Sequence, residues 1–199
     1  MAVAALVAYV VYLVLAFGMR SVQQYRRTGD IGFRGVSGRP GSLEWWGGVL
    51  FVLAVLFGLA APILQLAGVL SPLLDNAVVH VVGAVLAVAG IAGTLAAQQS
   101  MGASWRIGVD RAETTALVTT GAFGFARNPI FTAMIAAGAG IGALAPNPLA
   151  VGAVVALVAA IEIQVRAVEE PYLLASHGSA YRDYATHVGR FLPGLGRLA

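Results

Sequence analysis

The sequence contains no cysteine and no lysine, and charged residues make up only 11% of its 199 residues. Without cysteine the chain has no disulfide, no thiolate nucleophile and no cysteine-ligated metal site. Its three histidines, His80, His177 and His187, lack the spacing of metal ligands, so the sequence predicts no metal centre. The scarcity of charge, together with 59% hydrophobic residues, excludes an ordinary soluble domain.

Long apolar stretches dominate the sequence. Because a helix of about 20 apolar residues spans a bilayer, these stretches predict an all-α polytopic membrane protein with five transmembrane helices in one domain. The first stretch lacks a basic leading region, so we interpret it as a retained helix and not a cleaved signal peptide. Pro146-Asn147-Pro148 predicts a tight turn that makes the last two spans a helical hairpin. The predicted spans are Met1–Met19, Trp46–Ala67, Ala77–Ala97, Pro129–Ala145 and Leu149–Val165.

All twelve basic residues are arginine, and their distribution among the loops predicts the topology. Arginines occur after the first span, after the third span and in the C-terminal tail, whereas Gly68–Asn76 and Pro146–Pro148 contain none. The positive-inside rule then predicts a multi-pass protein of the cell membrane with its N-terminus outside and its C-terminus cytoplasmic. No basic run is interleaved with exposed aromatic residues, so we expect contact with membrane lipids and no nucleic-acid partner.

One glycine-rich stretch requires a structural interpretation. Gly138-Ala139-Gly140-Ile141-Gly142-Ala143 matches the G-x-G-x-x-A pattern of dinucleotide-binding sites. No strand precedes it, however, and it lies inside an apolar helix. Gly138 and Gly142 instead form a small-xxx-small pair, which predicts close packing against another membrane helix.

Two polar clusters border the last two spans. Arg127-Asn128-Pro129 precedes the fourth span, and four charged residues end the fifth at spacings i, i+4, i+7 and i+8, on one helical face. Such a face meets a partner, a cavity or a bilayer boundary, because a charge in the hydrocarbon core costs about 2.5–3.5 kcal/mol. The four residues are Glu162, Arg166, Glu169 and Glu170.

Simpler interpretations of these clusters remain open. Asn128 followed by Pro129 suits the N-cap and first position of a helix, and capping alone would explain the pair. Glu169-Glu170-Pro171 would equally suit a solvated helix end, since Pro171 disfavours continuation. Phe123 and Phe131 would then be aromatic residues of the membrane interface.

The segment between the third and fourth spans is longer than an ordinary loop. Residues 98–128 mix aromatic, glycine, threonine and charged residues without a long period. This composition predicts a folded cytoplasmic cap over the inner end of the helices. Trp105 and Arg106 are alternatively interfacial anchors.

Residues from Gln98 to Pro193 resemble the isoprenylcysteine carboxyl methyltransferase family, which is itself similar to the phospholipid N-methyltransferases. The resemblance implies an integral-membrane enzyme that binds S-adenosylmethionine with its last helical hairpin and C-terminal segment. Residues 1–97 would then form an N-terminal three-helix scaffold and residues 98–199 the methyltransferase-like catalytic half. The matching motifs are Leu117-Val118-Thr119-Thr120-Gly121-Ala122-Phe123, Arg127-Asn128-Pro129-Ile130-Phe131, Glu169-Glu170, Tyr181-x-x-Tyr184 and Arg190-Phe191-Leu192-Pro193.

The same resemblance implies roles for individual residues. Glu169 and Arg190 are expected to be catalytic, and Glu170 is favoured over Glu169 for the cofactor. The residue types suit S-adenosylmethionine, since carboxylates bind its ammonium or ribose hydroxyls, arginine its carboxylate, and aromatic faces its adenine or sulfonium. The expected cofactor-binding residues are Gly121, Ala122, Phe123, Arg127, Asn128, Phe131, Glu170, His177 and Tyr181.

The sequence departs from the family signature at four places. Ala122-Phe123 stands for Pro-Tyr, Asn128 for His, Phe131 for Tyr and Ala133 for Gly. Asn128 can form hydrogen bonds as a neutral histidine does, but it cannot transfer a proton near neutral pH. Phe131 keeps an aromatic face and lacks the hydroxyl. Cofactor binding tolerates these changes, whereas proton transfer by residue 128 is excluded.

The sequence thus predicts an S-adenosylmethionine-dependent methyltransferase that acts on a lipophilic or amphipathic acceptor, either a lipid or a small molecule. Two other classes remain open. One is a non-catalytic membrane scaffold or transporter subunit that uses the hairpin for packing and its arginines for topology. The other is a sterol-reductase-like membrane enzyme, which would bind a nicotinamide cofactor.

Overall fold

The computed structural model describes residues 1–31, 35–36, 38–102 and 116–198. Over these ranges the chain is helical and has no strand, which confirms the predicted all-α membrane protein. Four of the described helices are long and apolar enough to cross a membrane, and a shorter apolar helix, Pro129–Leu144, precedes the last of them. The four are Ala2–Thr28, Leu43–Leu66, Ala77–Met101 and Pro148–His187.

Two of these long helices contain a π-helical segment. Helix α1 (Ala2–Leu13) continues through Val14–Met19 into α2 (Arg20–Thr28), and α6 (Pro148–Ile163) continues through Gln164–Glu169 into α7 (Glu170–His187). Both helices extend beyond the predicted apolar spans because arginine, glutamine and glutamate are good helix formers. The other elements are α3 (Leu43–Leu66), α4 (Ala77–Met101), a 3-10 turn (Gly121–Gly124) and α5 (Pro129–Leu144).

Helices α4 and α5 approach each other closely at small residues. A Cβ on Gly140 would overlap backbone atoms of Ala87, and a Cβ on Gly90 would overlap backbone atoms of Ala137. Lipid tails are as apolar as the side chains, so membrane helices associate through such close van der Waals packing. The helix that leads from the polar cluster at residue 127 is thereby held against α4.

The G-x-G-x-x-A stretch lies within α5, and its glycines serve helix packing. Gly138 and Gly142 face α6, where an added Cβ would lie 3.0 Å from Leu157 and 3.6 Å from Val154. With a helix on either side and no strand before it in the described residues, the stretch has no dinucleotide-binding geometry.

The α5–α6 hairpin turns at residues 145–147, as the sequence predicts. Asn147 is fully buried, and its Oδ1 accepts a hydrogen bond from the backbone N–H of Ala150 at 3.0 Å. Its Nδ2 donates to the carbonyl oxygen of Ala61 at 3.0 Å and to Oε1 of Gln65 at 2.9 Å. One side chain therefore caps α6 and ties the hairpin to α3.

The first helix is attached to α3 and α4 through polar side chains. The hydroxyl of Tyr9 donates to the carbonyl oxygen of Val55 at 2.7 Å, and the hydroxyls of Tyr12 and Thr94 lie 3.4 Å apart. These contacts complete a bundle in which α1, α3, α5 and α6 surround common internal space.

Part of the predicted cap lies outside the described residues. This part is residues 103–115, which include Trp105, Arg106 and Arg111. Arg34, in the loop after the first span, also lies outside the described residues. The described end of the cap contains the 3-10 turn, where Gly121 has a positive φ of 62° that favours glycine.

Candidate functional site

A large cavity, here called the main cavity, lies where α3, α5 and α6 meet α7. Its empty volume is about 1480 Å³, part of which is open to the surroundings. One region of its wall is apolar and includes Phe17, Phe51 and Met134. The other region carries the polar and aromatic side chains of Arg127, Asn128, Glu169, Tyr181 and Tyr184.

The structure brings together six of the eleven residues that the sequence places in the site. Phe123, Arg127, Asn128, Phe131, Glu169 and Tyr181 line the main cavity. The other five do not line it: Gly121, Ala122, Glu170, His177 and Arg190.

Glu170 is held by two arginines instead of facing the cavity. Nη2 of Arg127 donates to Oε1 of Glu170 at 2.7 Å, and Nε of Arg190 donates to the same oxygen at 2.8 Å. Nη2 of Arg190 donates to Oε2 at 3.0 Å. Both carboxylate oxygens are therefore engaged, and we call this group the Arg127–Glu170–Arg190 cluster.

Arg127 also binds backbone carbonyls at the end of α7 and beyond it. Its Nη1 donates to the carbonyl oxygens of Ala185 at 2.8 Å and Val188 at 3.2 Å, and its Nη2 donates to that of Gly196 at 3.0 Å. The side chain is 1% exposed. Nε is the guanidinium nitrogen for which the described residues provide no acceptor. Arg127 therefore fixes the C-terminal segment against α5, while its Nε is buried without a partner among the described residues.

Asn128 contacts the C-terminal segment as well. It occupies the N-cap position of α5 with Pro129 following, as the sequence predicts, but its side chain makes no capping hydrogen bond. Its Nδ2 donates instead to the carbonyl oxygen of Arg190 at 3.1 Å. The hydroxyl of Thr132, one turn later, donates to the carbonyl oxygen of Phe191 at 2.8 Å. Side-chain capping is thus the wrong explanation for Asn128.

The π-helical segment separates the charged residues at the end of the fifth span. Glu162 and Arg166 form an exposed i,i+4 ion pair, whereas Glu170 is only 8% exposed. The helix continues to His187, so the interpretation of Glu169-Glu170-Pro171 as a solvated helix end is wrong. A π-helical turn accommodates Pro171 because it relieves the clash between the proline ring and the preceding turn.

Glu169 faces the main cavity beyond the end of the fifth predicted span at Val165. Nε2 of Gln164, five residues earlier in the π-helical segment, donates to its Oε1 at 3.4 Å. Burial raises the pKa of Glu169 to about 7, and the hydrogen bond from Gln164 opposes this shift. In the cluster, by contrast, the hydrogen bond to Glu170 raises the pKa of Arg190. Glu169 is therefore harder to ionise than an ordinary exposed glutamate.

Aromatic side chains complete this end of the cavity. Tyr181 is 1% exposed, and its ring centroid lies 6.0 Å from Cζ of Arg127. The ring of Tyr184 makes an edge contact with that of Tyr181 at 6.2 Å, and its hydroxyl donates to the carbonyl oxygen of Phe123 at 2.6 Å. Helix α7 thereby positions the 3-10 turn that bears Phe123.

Three polar residues of the cavity wall were absent from the predicted site: Gln98, Gln164 and Tyr184. Tyr184 has a signal in the sequence, since its i,i+3 spacing from Tyr181 places both rings on one helical face. Gln98 is 3% exposed, and its Nε2 donates to the carbonyl oxygen of Ala16 at 2.9 Å. Because Nε2 is fixed in this way, the amide orientation is determined, and Oε1 has no partner among the described residues.

His177 is half-buried just before the point where α7 kinks. Gly178 interrupts the helix with φ 53° and ψ −122°, and Nε2 of His177 is buried without a partner in the described structure. No three histidine, aspartate or glutamate side chains come together there or elsewhere in the described ranges as a metal-binding group.

The family model for phospholipid methyltransferases matches residues 78–180, slightly more than half of the chain. The match runs from the start of α4 into α7 and includes Gln98, Arg127 and both Glu169 and Glu170. No curated protein and no solved structure matches the chain significantly. Helices α1 and α3 and the C-terminal segment lie outside the matched range.

Proposed function

The chain belongs to the phospholipid methyltransferase family, and from this premise we propose that it transfers a methyl group from S-adenosylmethionine to a lipid acceptor in the membrane. The observation that carries the proposal is the main cavity. It joins a polar, aromatic end built from the ends of α5 and α7 to an apolar wall formed by membrane helices. A water-soluble cofactor and a lipid acceptor require these two environments side by side.

The polar end suits the cofactor. When bound, S-adenosylmethionine supplies a methyl group on a sulfonium sulfur. The aromatic faces of Phe123, Phe131 and Tyr181 suit its adenine ring or its cationic sulfur. Nε of Arg127, which has no partner among the described residues, is proposed to donate to its carboxylate. Methyl transfer is an in-line displacement, so alignment of the two reactants by such contacts is the main requirement.

Glu169 is proposed as the catalytic carboxylate. An acceptor amine or hydroxyl gains the methyl group and loses a proton, and a pKa near 7 suits a group that takes up this proton at neutral pH. Glu170, with both oxygens bound by arginines, is assigned to holding the site together. Arg190 has the same structural role through its contacts with Glu170.

Gln98 is proposed to orient the acceptor. Its Oε1 is a buried carbonyl oxygen without a partner among the described residues, and such a group is destabilising by about 1–3 kcal/mol. An N–H or O–H of the acceptor would satisfy it. This contact would present the acceptor from the α4 side of the cavity.

Cofactor binding by the purified full-length protein tests the proposal. We expect S-adenosylmethionine, or its demethylated product, to raise the unfolding temperature in detergent, because a ligand at a hundred times its Kd stabilises by about 2.7 kcal/mol. Methyl-labelled cofactor should then transfer its label to lipid extracted from membranes. Stabilisation by NADPH alone would favour the reductase class, and the absence of binding by both cofactors would favour a scaffold.

A further inference from the structure

A second cavity lies deeper in the bundle, between α1, α3, α5 and α6. Its empty volume is about 660 Å³, and its wall includes Ala54, Gly58, Gly138 and Ala153. We call it the inner cavity. All four helices are apolar, and part of the volume of the inner cavity is open to the surroundings.

The lining of the inner cavity offers nothing to a polar ligand. Its two hydroxyl-bearing side chains are Tyr9 and Tyr12, and both hydroxyls are engaged within the bundle. Tyr9 donates to the carbonyl oxygen of Val55, and Tyr12 lies within hydrogen-bonding distance of Thr94. All other lining side chains are apolar or glycine. The cavity therefore suits a hydrocarbon, because a polar group placed there would lose its hydrogen bonds.

The inner cavity adjoins the main cavity. Phe17, Phe51 and Met134 line both, and the rings of Phe17 and Phe51 meet edge-on with 6.4 Å between centroids. Along α5 the two cavities extend from Asn128 to Ala145, which is about 25 Å at 1.5 Å per residue. This length is most of the roughly 30 Å hydrocarbon thickness of a bilayer. A chain that ran along α5 through both cavities would therefore be a long one.

We propose that the inner cavity binds the distal part of one long hydrocarbon chain of the lipid whose polar group occupies the main cavity. The proposal rests on the proposed function for the identity of that lipid as the methyl acceptor. Helices α1 and α3 contribute much of the wall of the inner cavity, and both lie outside residues 78–180, which the family model matches.

The inner cavity is expected to select chains more than to increase affinity. A lipid chain leaves an apolar bilayer to enter it and thus gains little from the hydrophobic effect. The cavity contributes van der Waals packing that depends on chain length, because a chain of the right length fills it and contacts its wall. The effect should therefore be a dependence of methyl transfer on chain length.

Photochemical labelling tests occupancy without requiring methyl transfer. The full-length protein in detergent is mixed with a phospholipid that carries a diazirine near the end of a palmitoyl chain, and the labelled residues are mapped by mass spectrometry. We expect label on residues of the inner cavity, such as those near Gly58 and Ala153. Label confined to outward-facing residues of α6, such as Val155, would overturn the proposal.

Two phenylalanine substitutions on α6, one inside the inner cavity and one on the outer face, provide a matched comparison. Ala153→Phe adds bulk inside the cavity, where residue 153 is 7% exposed, whereas Val155→Phe adds it on the outer face, where residue 155 is 63% exposed. We expect Ala153→Phe to reduce cavity labelling several-fold and Val155→Phe to leave it unchanged. Ala54→Phe fills the same space from α3 and serves if Ala153→Phe does not fold. Equal labelling in both α6 variants would contradict the proposal.

The dependence of kcat/KM on the chain length of the acceptor lipid then tests whether the inner cavity affects methyl transfer. With acceptor lipids that share a headgroup, Ala153→Phe should lower kcat/KM for palmitoyl chains roughly tenfold or more and leave octanoyl chains nearly unaffected, since pocket contacts discriminate by such factors. An unchanged profile would overturn chain selection by the cavity. Cavity labelling in a protein that methylates no lipid would instead support the chain site and reject the proposed function.

Discussion

Arg127 and Glu170, which are 43 positions apart in the chain, form a buried ion pair with 2.7 Å between Nη2 and Oε1. Arg127 precedes α5 and Glu170 begins α7, so the pair joins the two ends of the hairpin region. Arg190 adds a second positive charge from the C-terminal segment. The polar end of the main cavity is thus built around an ion cluster in which both carboxylate oxygens of Glu170 are engaged.

Removing the charge of Glu170 should destabilise the protein. Glu170→Gln leaves Arg127 and Arg190 without a counter-charge, and breaking a buried ion pair in this way typically costs about 3–5 kcal/mol. We expect a large fall in the unfolding temperature, measured in detergent without cofactor. Glu162→Gln is the control, because the exposed Glu162–Arg166 pair should contribute no more than about 1 kcal/mol. If Glu170→Gln weakened only cofactor binding and left unfolding unchanged, Glu170 would be a ligand after all.

The contrast between Glu169 and Glu170 shows where prediction from the sequence ends. Hydropathy predicts the spans, and proline placement predicts the hairpin, because these features depend on local composition. Two adjacent glutamates have the same hydropathy, so the sequence does not show which of them faces the cavity. Which one faces the cavity depends on the π-helical segment Gln164–Glu169, which alters the helical register and has no hydropathy signature.

The position of Gln98 inside the bundle is also not predicted by the sequence. A polar Gln98-Gln99 pair at the end of an apolar stretch predicts the end of a span, whereas α4 continues to Met101. The side chain is therefore held inside the bundle against Ala16, a contact between residues 82 positions apart. Six of the site residues predicted from the family resemblance line the cavity. Gln98 and Gln164 lie outside the matching motifs and were missed, and Tyr184 was missed although one of those motifs contains it.

Close packing of α4 and α5 should be sensitive to a single methyl group. Gly140→Ala places a Cβ against backbone atoms of Ala87 and Gly83, which cannot move aside as a side chain can. We expect a loss of about 1–3 kcal/mol, the usual range for overpacking. Gly142→Ala, where the nearest contact of an added Cβ is 3.6 Å, should be nearly neutral in the same unfolding assay. Equal effects at both positions would show that helix propensity, and not the α4–α5 contact, decides stability.

Reporter fusions should place the arginine-rich loop after the first span and the C-terminal tail on the cytoplasmic side. The arginine distribution predicts that a reporter inserted at Gly38 and one fused to the C-terminus are both cytoplasmic, with Met1 outside. Paired reporters that are active only in the cytoplasm or only outside can measure this. Finding the two sites on opposite faces would exclude the five-span topology.

Substitution of Gln98 should affect the acceptor and not the cofactor. Gln98→Leu removes the buried Oε1 that is proposed to accept a hydrogen bond, and the loss should weaken acceptor binding by about 1–3 kcal/mol. We expect a higher KM for the lipid, an unchanged Kd for S-adenosylmethionine, and partial recovery in Gln98→Glu, which restores an acceptor oxygen. Gln65 is a suitable control position, because Gln65→Leu removes a hydrogen-bonded side chain on α3 that lines neither cavity. An equal change in both variants would indicate a general effect on packing.

Methyl transfer should depend on pH through Glu169. Burial raises the pKa of this carboxyl to about 7, so the fraction in the carboxylate form increases as the pH rises through neutrality. If the carboxylate takes up the proton of the acceptor, kcat should increase up to about tenfold per pH unit below the pKa and level off above it. Glu169→Gln should lower kcat and remove this dependence, while Glu162→Gln, which lies outside the cavity, should keep the wild-type profile. A profile that stays unchanged in Glu169→Gln would assign the pH dependence to the acceptor itself and remove Glu169 from the reaction.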